Sequence, residues 1–243
     1  MNRPLKITIF ICIALLILVA LKKIHFGADW RTANRSSANI APKPEEYKDA
    51  VVQIYSARTF SWRGLFAVHT WIATKSKNAD YYTVYQIVGW RQFWKLPVLS
   101  IEQDIPDRYW FNQPPTILKS FYGQPAAELI PKIETAAESY PYKGQYIVWP
   151  GPNSNTFTAY IARKVPELNL ALPPIAIGKD FLGNHTFFAK APSNTGFQFS
   201  LFGVFGILLA REEGLEINII GLVIGINPLK LAIALPCIGE LAG

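Results

Sequence analysis

A chain of 243 residues, half of them hydrophobic and 14% aromatic, is long enough for one folded domain with an appendage and supplies ample apolar material for a core. Its net charge of +7 is unevenly placed, because residues 1–35 carry +5 and the remainder only +2. A protein that binds nucleic acid carries its excess positive charge on the folded domain, so the charge distribution argues against nucleic acid as a partner.

The first predicted element is the apolar run Ile7–Leu21, with Lys6 before it and Lys22 and Lys23 behind it. Its length lies between that of a signal-peptide core and that of a short membrane-spanning helix. No small-x-small cleavage site follows, and flanking lysines can extend the span by reaching the membrane surface. We therefore predict an uncleaved anchor over residues 1–24, in preference to a removed signal peptide or a buried helix.

This anchor predicts a single-pass protein of the cell (inner) membrane, with the membrane as its one predicted partner. Positive charge lies on both flanks of the run, so the positive-inside rule hardly distinguishes the two possible orientations in the membrane. A six-residue head with the large domain exported, and hence periplasmic, is the preferred orientation. Residues 25–47 are polar and show no sustained period, which predicts a tether to a globular domain over residues 48–243.

Within that domain, three runs rich in β-branched and aromatic residues predict strands: Val51–Arg58, Leu65–Thr74 and Tyr81–Trp90. Turn formers between the second and third indicate a hairpin. Helical composition predicts helices over Ala126–Tyr140 and Asn155–Val165. The expected fold class is α+β, an antiparallel sheet with packed helices, plus the N-terminal transmembrane helix.

The C-terminal runs Phe197–Ala210 and Leu215–Ile226 are strongly apolar, but each is too short to cross a membrane. Apolar and polar residues alternate within them, as in Phe197–Leu201 and Leu215–Ile219, and glycines suit bulges and bends. We expect a β-meander packed on the core of the domain rather than a re-entrant membrane element.

Two segments carry the residues best suited to catalysis. His69 lies in a predicted strand, and imidazole is suited to removing a proton near neutral pH. Ser154 stands at the start of a predicted helix, where free N–H groups and the helix dipole stabilise an anion. The hypothesis makes His69 the base, Ser154 the nucleophile, and the helix terminus at Asn153 and Asn155 the oxyanion site. The alternative makes Ser154 part of a helix N-cap and His69 a core histidine.

Five motifs resemble an uncharacterised bacterial family, domain of unknown function 3750, over roughly residues 48–240: Trp62–Gly64, His69–Lys75, Val88–Trp90, Trp149–Phe157 and Glu213–Asn218. That family label implies no activity. More distantly, Asn153–Phe157 resembles the helix-opening Asn-Cys-x-x-Phe of permuted papain-like enzymes, lecithin retinol acyltransferase among them, which place a histidine on an early strand. This resemblance implies a permuted papain-like fold and activity on amide or ester bonds.

Ser154 stands where those enzymes have cysteine. A thiol can form an ion pair with imidazolium, whereas a hydroxyl must lose its proton during attack, so the imidazole would need a third group to hold it. The next strand offers Tyr82, Tyr85 and Gln86, none of them a carboxylate. Two functions stay open: an envelope hydrolase or acyltransferase with a Ser/His pair, and a non-catalytic, membrane-tethered binding or assembly module on an enzyme-derived fold.

No cofactor or metal site is predicted. The three histidines lie far apart, and Cys12 and Cys237 have no metal-ligating neighbour at a useful spacing. Six tryptophans between positions 62 and 149 are predicted mainly to pack the core, with an aromatic platform that stacks sugars as the alternative.

Overall fold

The computed structural model describes residues 29–242, which form two antiparallel sheets and two α-helices. The predicted anchor, residues 1–24, lies outside the described residues. Within residues 29–242, no helix combines the length and the apolarity needed to cross a membrane. The α+β class predicted from the sequence is therefore confirmed for the described part of the chain.

The first sheet has the strand order β4-β3-β2-β1-β5. Its strands are β1 (Val51–Arg58), β2 (Val68–Lys75), β3 (Thr83–Ile87), β4 (Leu99–Gln103) and β5 (Thr116–Tyr122). The first predicted strand has the predicted bounds. The second begins three residues later than predicted, because a short 3₁₀ helix, Ser61–Leu65, ends where the prediction began.

Side chains of β2 alternate between the two faces of this sheet, as the pleat requires. Val68 and Ile72 join the larger core with the helices, and Thr70 bonds to residues of the second helix. Trp71 and Ala73 join a smaller cluster on the opposite face. The sheet thus has a helix face and an aromatic face.

Two α-helices, α1 (Gln124–Glu138) and α2 (Ser154–Lys164), cover the helix face. The apolar stripe of α1 reaches into the larger core through Leu129, Ile130 and Ile133, three residues at helical spacing. Both helices lie within two residues of their predicted positions. Ser154 is the first residue of α2, as the sequence predicts.

The second sheet is a meander with the strand order β12-β11-β10-β9-β8-β7-β6. Its strands are β6 (Phe188–Lys190), β7 (Gly196–Leu201), β8 (Phe205–Ala210), β9 (Gly214–Ile219), β10 (Leu222–Asn227), β11 (Ala232–Leu235) and β12 (Gly239–Ala242). The predicted meander is confirmed, but the expected burial of its apolar face is wrong. Polar members of the alternation, such as Gln198 and Glu216, are buried against the rest of the domain, and the apolar members are exposed.

Buried charges on the segment before β6, at Lys179 and Asp180, explain this inverted polarity. Lys179 Nζ donates to Glu216 Oε2 at 2.5 Å, and Asn218 Nδ2 donates to Asp180 Oδ2 at 2.8 Å. Gln198 bonds to the same carboxylate of Asp180. Buried polar groups need partners, and the partners on residues 179–180 lie on the inner side, so the polar face of the meander turns inward.

The segment predicted as a tether is held against the domain over much of its length. The buried carboxylate of Asp107 accepts from Ser37 Oγ at 2.7 Å and from the N–H groups of Ile40 and Ala41 at 2.7 and 3.0 Å. Tyr82 Oη donates to the carbonyl of Pro42 at 2.8 Å. Composition alone did not indicate these partners, because they lie far along the chain.

Candidate functional site

His69 lies on the aromatic face of the first sheet and is only 5% exposed. Its ring stacks on Trp110, with centroids 3.7 Å apart and planes 11° apart, and lies 5.6 Å from the ring of Trp71. His69 Nε2 is 3.3 Å from Gln86 Oε1. Gln86, one of the three residues considered as a third group, is thus the hydrogen-bond partner of His69.

Burial is the main influence on the pKa of this imidazole. Removing the ring from water lowers the pKa of His69 to about 3, and the hydrogen bond that the ring donates to Gln86 Oε1 only partly opposes that effect. A histidine with so low a pKa is neutral near pH 7 but is a weak base, because base strength falls with pKa.

Ser154 lies on the other side of the sheet, in a buried polar cluster at the start of α2. Asn153 caps this helix, since its Oδ1 accepts from the N–H groups of Asn155 and Thr156 at 2.9 and 3.1 Å. Thr156 Oγ1 accepts from the N–H of Asn153 at 3.1 Å, which completes a capping box. Asn153 Nδ2 also donates to the carbonyls of Val148 and Ile177.

Asn155 ties the start of α2 to the sheet. Its Nδ2 donates to the carbonyl of Val68 at 2.9 Å, and its Oδ1 accepts from Thr70 Oγ1 at 2.9 Å. The side chain of Asn153 therefore competes with any anion for the predicted oxyanion site, because the backbone N–H of Asn155 already donates to Asn153 Oδ1. The N–H groups of Asn155 and Thr156 are thus satisfied by the protein itself.

The predicted contact between His69 and Ser154 is not formed. Ser154 belongs to a helix that packs on the helix face, and its carbonyl accepts from Thr70 Oγ1 at 3.4 Å, whereas His69 leaves the sheet on the aromatic face. A strand has period two, so adjacent residues point to opposite faces, and the residue facing the helix is Thr70. Counting alternation from Val68 and Ile72 in the sequence would have indicated Thr70.

The other two candidates for a third group have separate roles. Tyr82 packs on the aromatic face and bonds to the chain at Pro42, while Tyr85 faces the helices and its Oη lies 3.4 Å from Glu134 Oε1. Within the described residues, no group of three or more histidine, cysteine, aspartate or glutamate side chains could hold a metal ion.

The tryptophans are divided between interior and surface, which corrects the prediction that they mainly pack the core. Trp71 and Trp110 are buried and stack near His69. Four of the six are exposed to a large degree, namely Trp62, Trp90, Trp94 and Trp149.

The outer face of the meander is a second candidate site, and it is continuously apolar. The register places cross-strand neighbours in rows, such as Phe199, Ile207, Ile217 and Ile224 across four strands. The outward positions of the seven strands hold aliphatic or aromatic side chains apart from Lys190 and Gly239, and comprise Phe188, Phe197, Phe199, Leu201, Phe205, Ile207, Leu209, Leu215, Ile217, Ile219, Leu222, Ile224, Ile226, Ile233, Leu235 and Leu241. We call this surface the apolar sheet face.

Its dimensions follow from strand geometry. Seven strands about 4.8 Å apart, with three to six residues each and five on average, make a face of about 30 by 17 Å, or roughly 500 Å². That is in the upper part of the range for the largest apolar patch on soluble monomers, about 300–600 Å². A patch of this size is typical of a surface that binds a partner or a membrane.

The fold is that of an α+β protein in which a helix-covered sheet carries a second, partly bare sheet. A family model described as a protein of unknown function, DUF3750, matches residues 49–181. The chain belongs to this family. The match covers the first sheet and both helices and ends before the meander, so it is shorter than the predicted 48–240 and leaves out Glu213–Asn218.

No curated protein and no solved structure matches the chain. The likeness to permuted papain-like enzymes therefore stays a prediction.

Proposed function

We propose that the protein is a non-catalytic, membrane-tethered assembly module that binds its partner through the apolar sheet face. The observation that carries this proposal is the outward orientation of the apolar side of all seven strands. An apolar face that is exposed to solvent lowers the solubility of a protein, and exposed apolar patches of this size are often binding surfaces.

The geometry around Ser154 supports a non-catalytic role. A serine nucleophile needs a base within hydrogen-bond reach, and the side chain of the predicted base, His69, lies on the other face of the sheet with its Nε2 against Gln86. The polar cluster around Asn153 and Asn155 then acts as a cap and a link between helix and sheet. Fluorophosphonate labelling should accordingly be the same for the native chain and for Ser154→Ala.

A second copy of the same chain is the partner that fits this face best. The inner faces of a β-sandwich carry aliphatic and aromatic side chains on strands of matched length, which is also the composition of the apolar sheet face. Two such faces would bury about 1,000 Å² in total, near the lower limit for a specific protein interface. Charges that would repel each other are absent from the centre of the face among the described residues, since Lys190 lies on the edge strand β6.

The test introduces one charge at the centre of the face. Ile224 is exposed and pairs with Ile217 on the next strand, so Ile224→Lys should leave the fold intact but place an unpaired ammonium in the interface. Mass measured by light scattering on the full chain in detergent should be that of a dimer, and Ile224→Lys should raise the dissociation constant at least about 30-fold, an effect of about 2 kcal/mol.

Arg211→Gln is the matched control, because Arg211 is exposed in the turn after β8 and lies off the face. It should leave the dimer unchanged. A native chain that stays monomeric over the accessible concentration range would contradict self-association, as would an Ile224→Lys variant with unaltered affinity.

A further inference from the structure

A second exposed surface consists of tryptophans that are each followed by a cation. The pairs are Trp30-Arg31, Trp62-Arg63, Trp90-Arg91 and Trp94-Lys95. Phe93 and Trp94, in the 3₁₀ helix Gly89–Trp94, are 85% and 66% exposed, and that helix has no buried residue. We call this surface the aromatic edge.

Contacts among aromatic rings make the aromatic edge one continuous surface. Trp90 packs on Phe111 with centroids 5.6 Å apart, and Phe111 packs on Phe60 at 5.4 Å, directly before the 3₁₀ helix that carries Trp62. The guanidinium of Arg35 lies 4.3 Å from the ring of Phe111 and donates to the carbonyl of Trp30. The four tryptophans thus belong to neighbouring parts of the surface.

Two cations on this surface, Arg63 and Lys95, are exposed and free to meet an external anion. Within residues 29–242, Arg63 and Lys95 form no ion pair. Arg91 is the exception, since it pairs with Glu102 at 2.6 Å. Tryptophan rings beside arginine and lysine are typical of protein segments at the headgroup level of a membrane, where the ring meets apolar chains and the cation meets phosphate.

The aromatic edge also lies where the described chain begins. Trp30 is the second described residue, and Asp29 is eight residues after Leu21, the last residue of the apolar run. Eight residues span at most about 28 Å. If the run is anchored in a membrane, Trp30 and its neighbours cannot lie farther from that membrane than this length.

We propose that the aromatic edge lies in the headgroup region of the membrane that holds the chain, so that Phe93 and Trp94 enter the lipid interface and Arg63 and Lys95 bind lipid phosphates. This inference rests on the proposed membrane tether. It deepens that proposal, because contact at the edge fixes the orientation of the domain on the bilayer instead of leaving it to swing on its linker.

The test uses a polarity-sensitive fluorophore on single cysteines of the full chain, with Cys12→Ala and Cys237→Ser as the background. Phe93→Cys carries the label in the aromatic edge, and Glu128→Cys carries it on the exposed side of α1, which covers the opposite face of the first sheet. The chains are reconstituted in liposomes of phosphatidylcholine and phosphatidylglycerol.

At Phe93→Cys we expect blue-shifted emission and quenching by lipids spin-labelled near the headgroup, about twofold or more stronger than at Glu128→Cys. Adding Arg63→Glu and Lys95→Glu should remove most of that difference. Carbonate extraction of the same samples reports separately on the tether.

A chain that resists extraction but shows equal quenching at both sites would overturn the inference and leave the tether standing. A chain that carbonate removes would overturn both. Loss of quenching on adding a soluble oligosaccharide would instead show that the tryptophans stack sugars, and would also overturn the lipid assignment.

Discussion

His69 is held by stacking on Trp110 and by Gln86, and both contacts suit a neutral ring. Burial lowers its pKa to about 3 from an ordinary value of 6.5. Between pH 3 and pH 6.5, this imidazole binds a proton in the unfolded chain but not in the folded chain. The contribution of His69 to stability is therefore complete above pH 6.5 and is lost as the pH falls towards 3.

The free energy of unfolding should consequently decrease on acidification by about 1.4 kcal/mol per pH unit from this one residue. The measurement is urea unfolding at a series of pH values for the native chain, His69→Gln and His185→Gln. His69→Gln should remove this part of the pH dependence, and the exposed His185 serves as the control. Equal slopes for all three chains would show that His69 is not buried as described.

Asn153 makes more bonds than an ordinary N-cap, because its amide also donates to the carbonyls of Val148 and Ile177. Asn153→Ala should lower the free energy of unfolding by about 2–4 kcal/mol, the sum of a lost cap and of buried carbonyls left unpaired. Asn153→Asp keeps the accepting oxygen but not the donors. Its free energy of unfolding should therefore lie between those of the native chain and Asn153→Ala. If Asp and Ala cost the same, the cap bond contributes nothing.

At the level of elements, the meander is fixed to the domain by buried charge. Burial raises the pKa of Glu216 to about 7 against the attraction of Lys179. For Lys179, burial alone would lower the pKa, but the carboxylates of Glu216 and Asp180 raise it above its ordinary value. The two groups thus form a buried ion pair, and each depends on the other for charge compensation.

Lys179→Met should destabilise the protein by about 3–5 kcal/mol, since it leaves the Glu216 carboxyl buried without its cation. The double variant Lys179→Met, Glu216→Leu should recover most of that loss, because neither group is then unpaired. Denaturant midpoints measure both effects. The exposed pair Lys132–Glu167 is the control, and Lys132→Ala should change the midpoint little. Additive effects of the two substitutions would refute the coupling.

The sequence predicts the type of most elements because their apolar periodicity is local. It places β1, α1, α2 and the alternating strands of the meander within a few residues. It does not tell which side of an alternating strand faces inward, since that depends on partners such as Asp180 and Arg163 elsewhere in the chain. The same limit applies to His69, whose face is set by the pairing of β2 with β1 and β3.

For the whole molecule, the predicted anchor implies that the full chain and a chain without the anchor differ in how they associate with the membrane. The full chain should stay in the membrane fraction after carbonate extraction, and a chain without residues 1–25 should be released from it. Because the shortened chain keeps the apolar sheet face, we expect it to be released as a dimer. A full chain found in the soluble fraction, or a mature N-terminus near residue 28, would contradict the anchor.

The two sheets differ in how far apart along the chain their paired strands lie. In the meander every hydrogen-bonded pair joins consecutive strands, whereas the first sheet pairs Val51 of β1 with Tyr122 of β5. Pairing of distant segments must first close a long loop and is slow, while consecutive hairpins can zip together quickly. During synthesis the N-terminal part folds first. The slow pairing can therefore be finished before the strands of the apolar sheet face emerge, so that this aggregation-prone surface forms rapidly on a domain that is already folded.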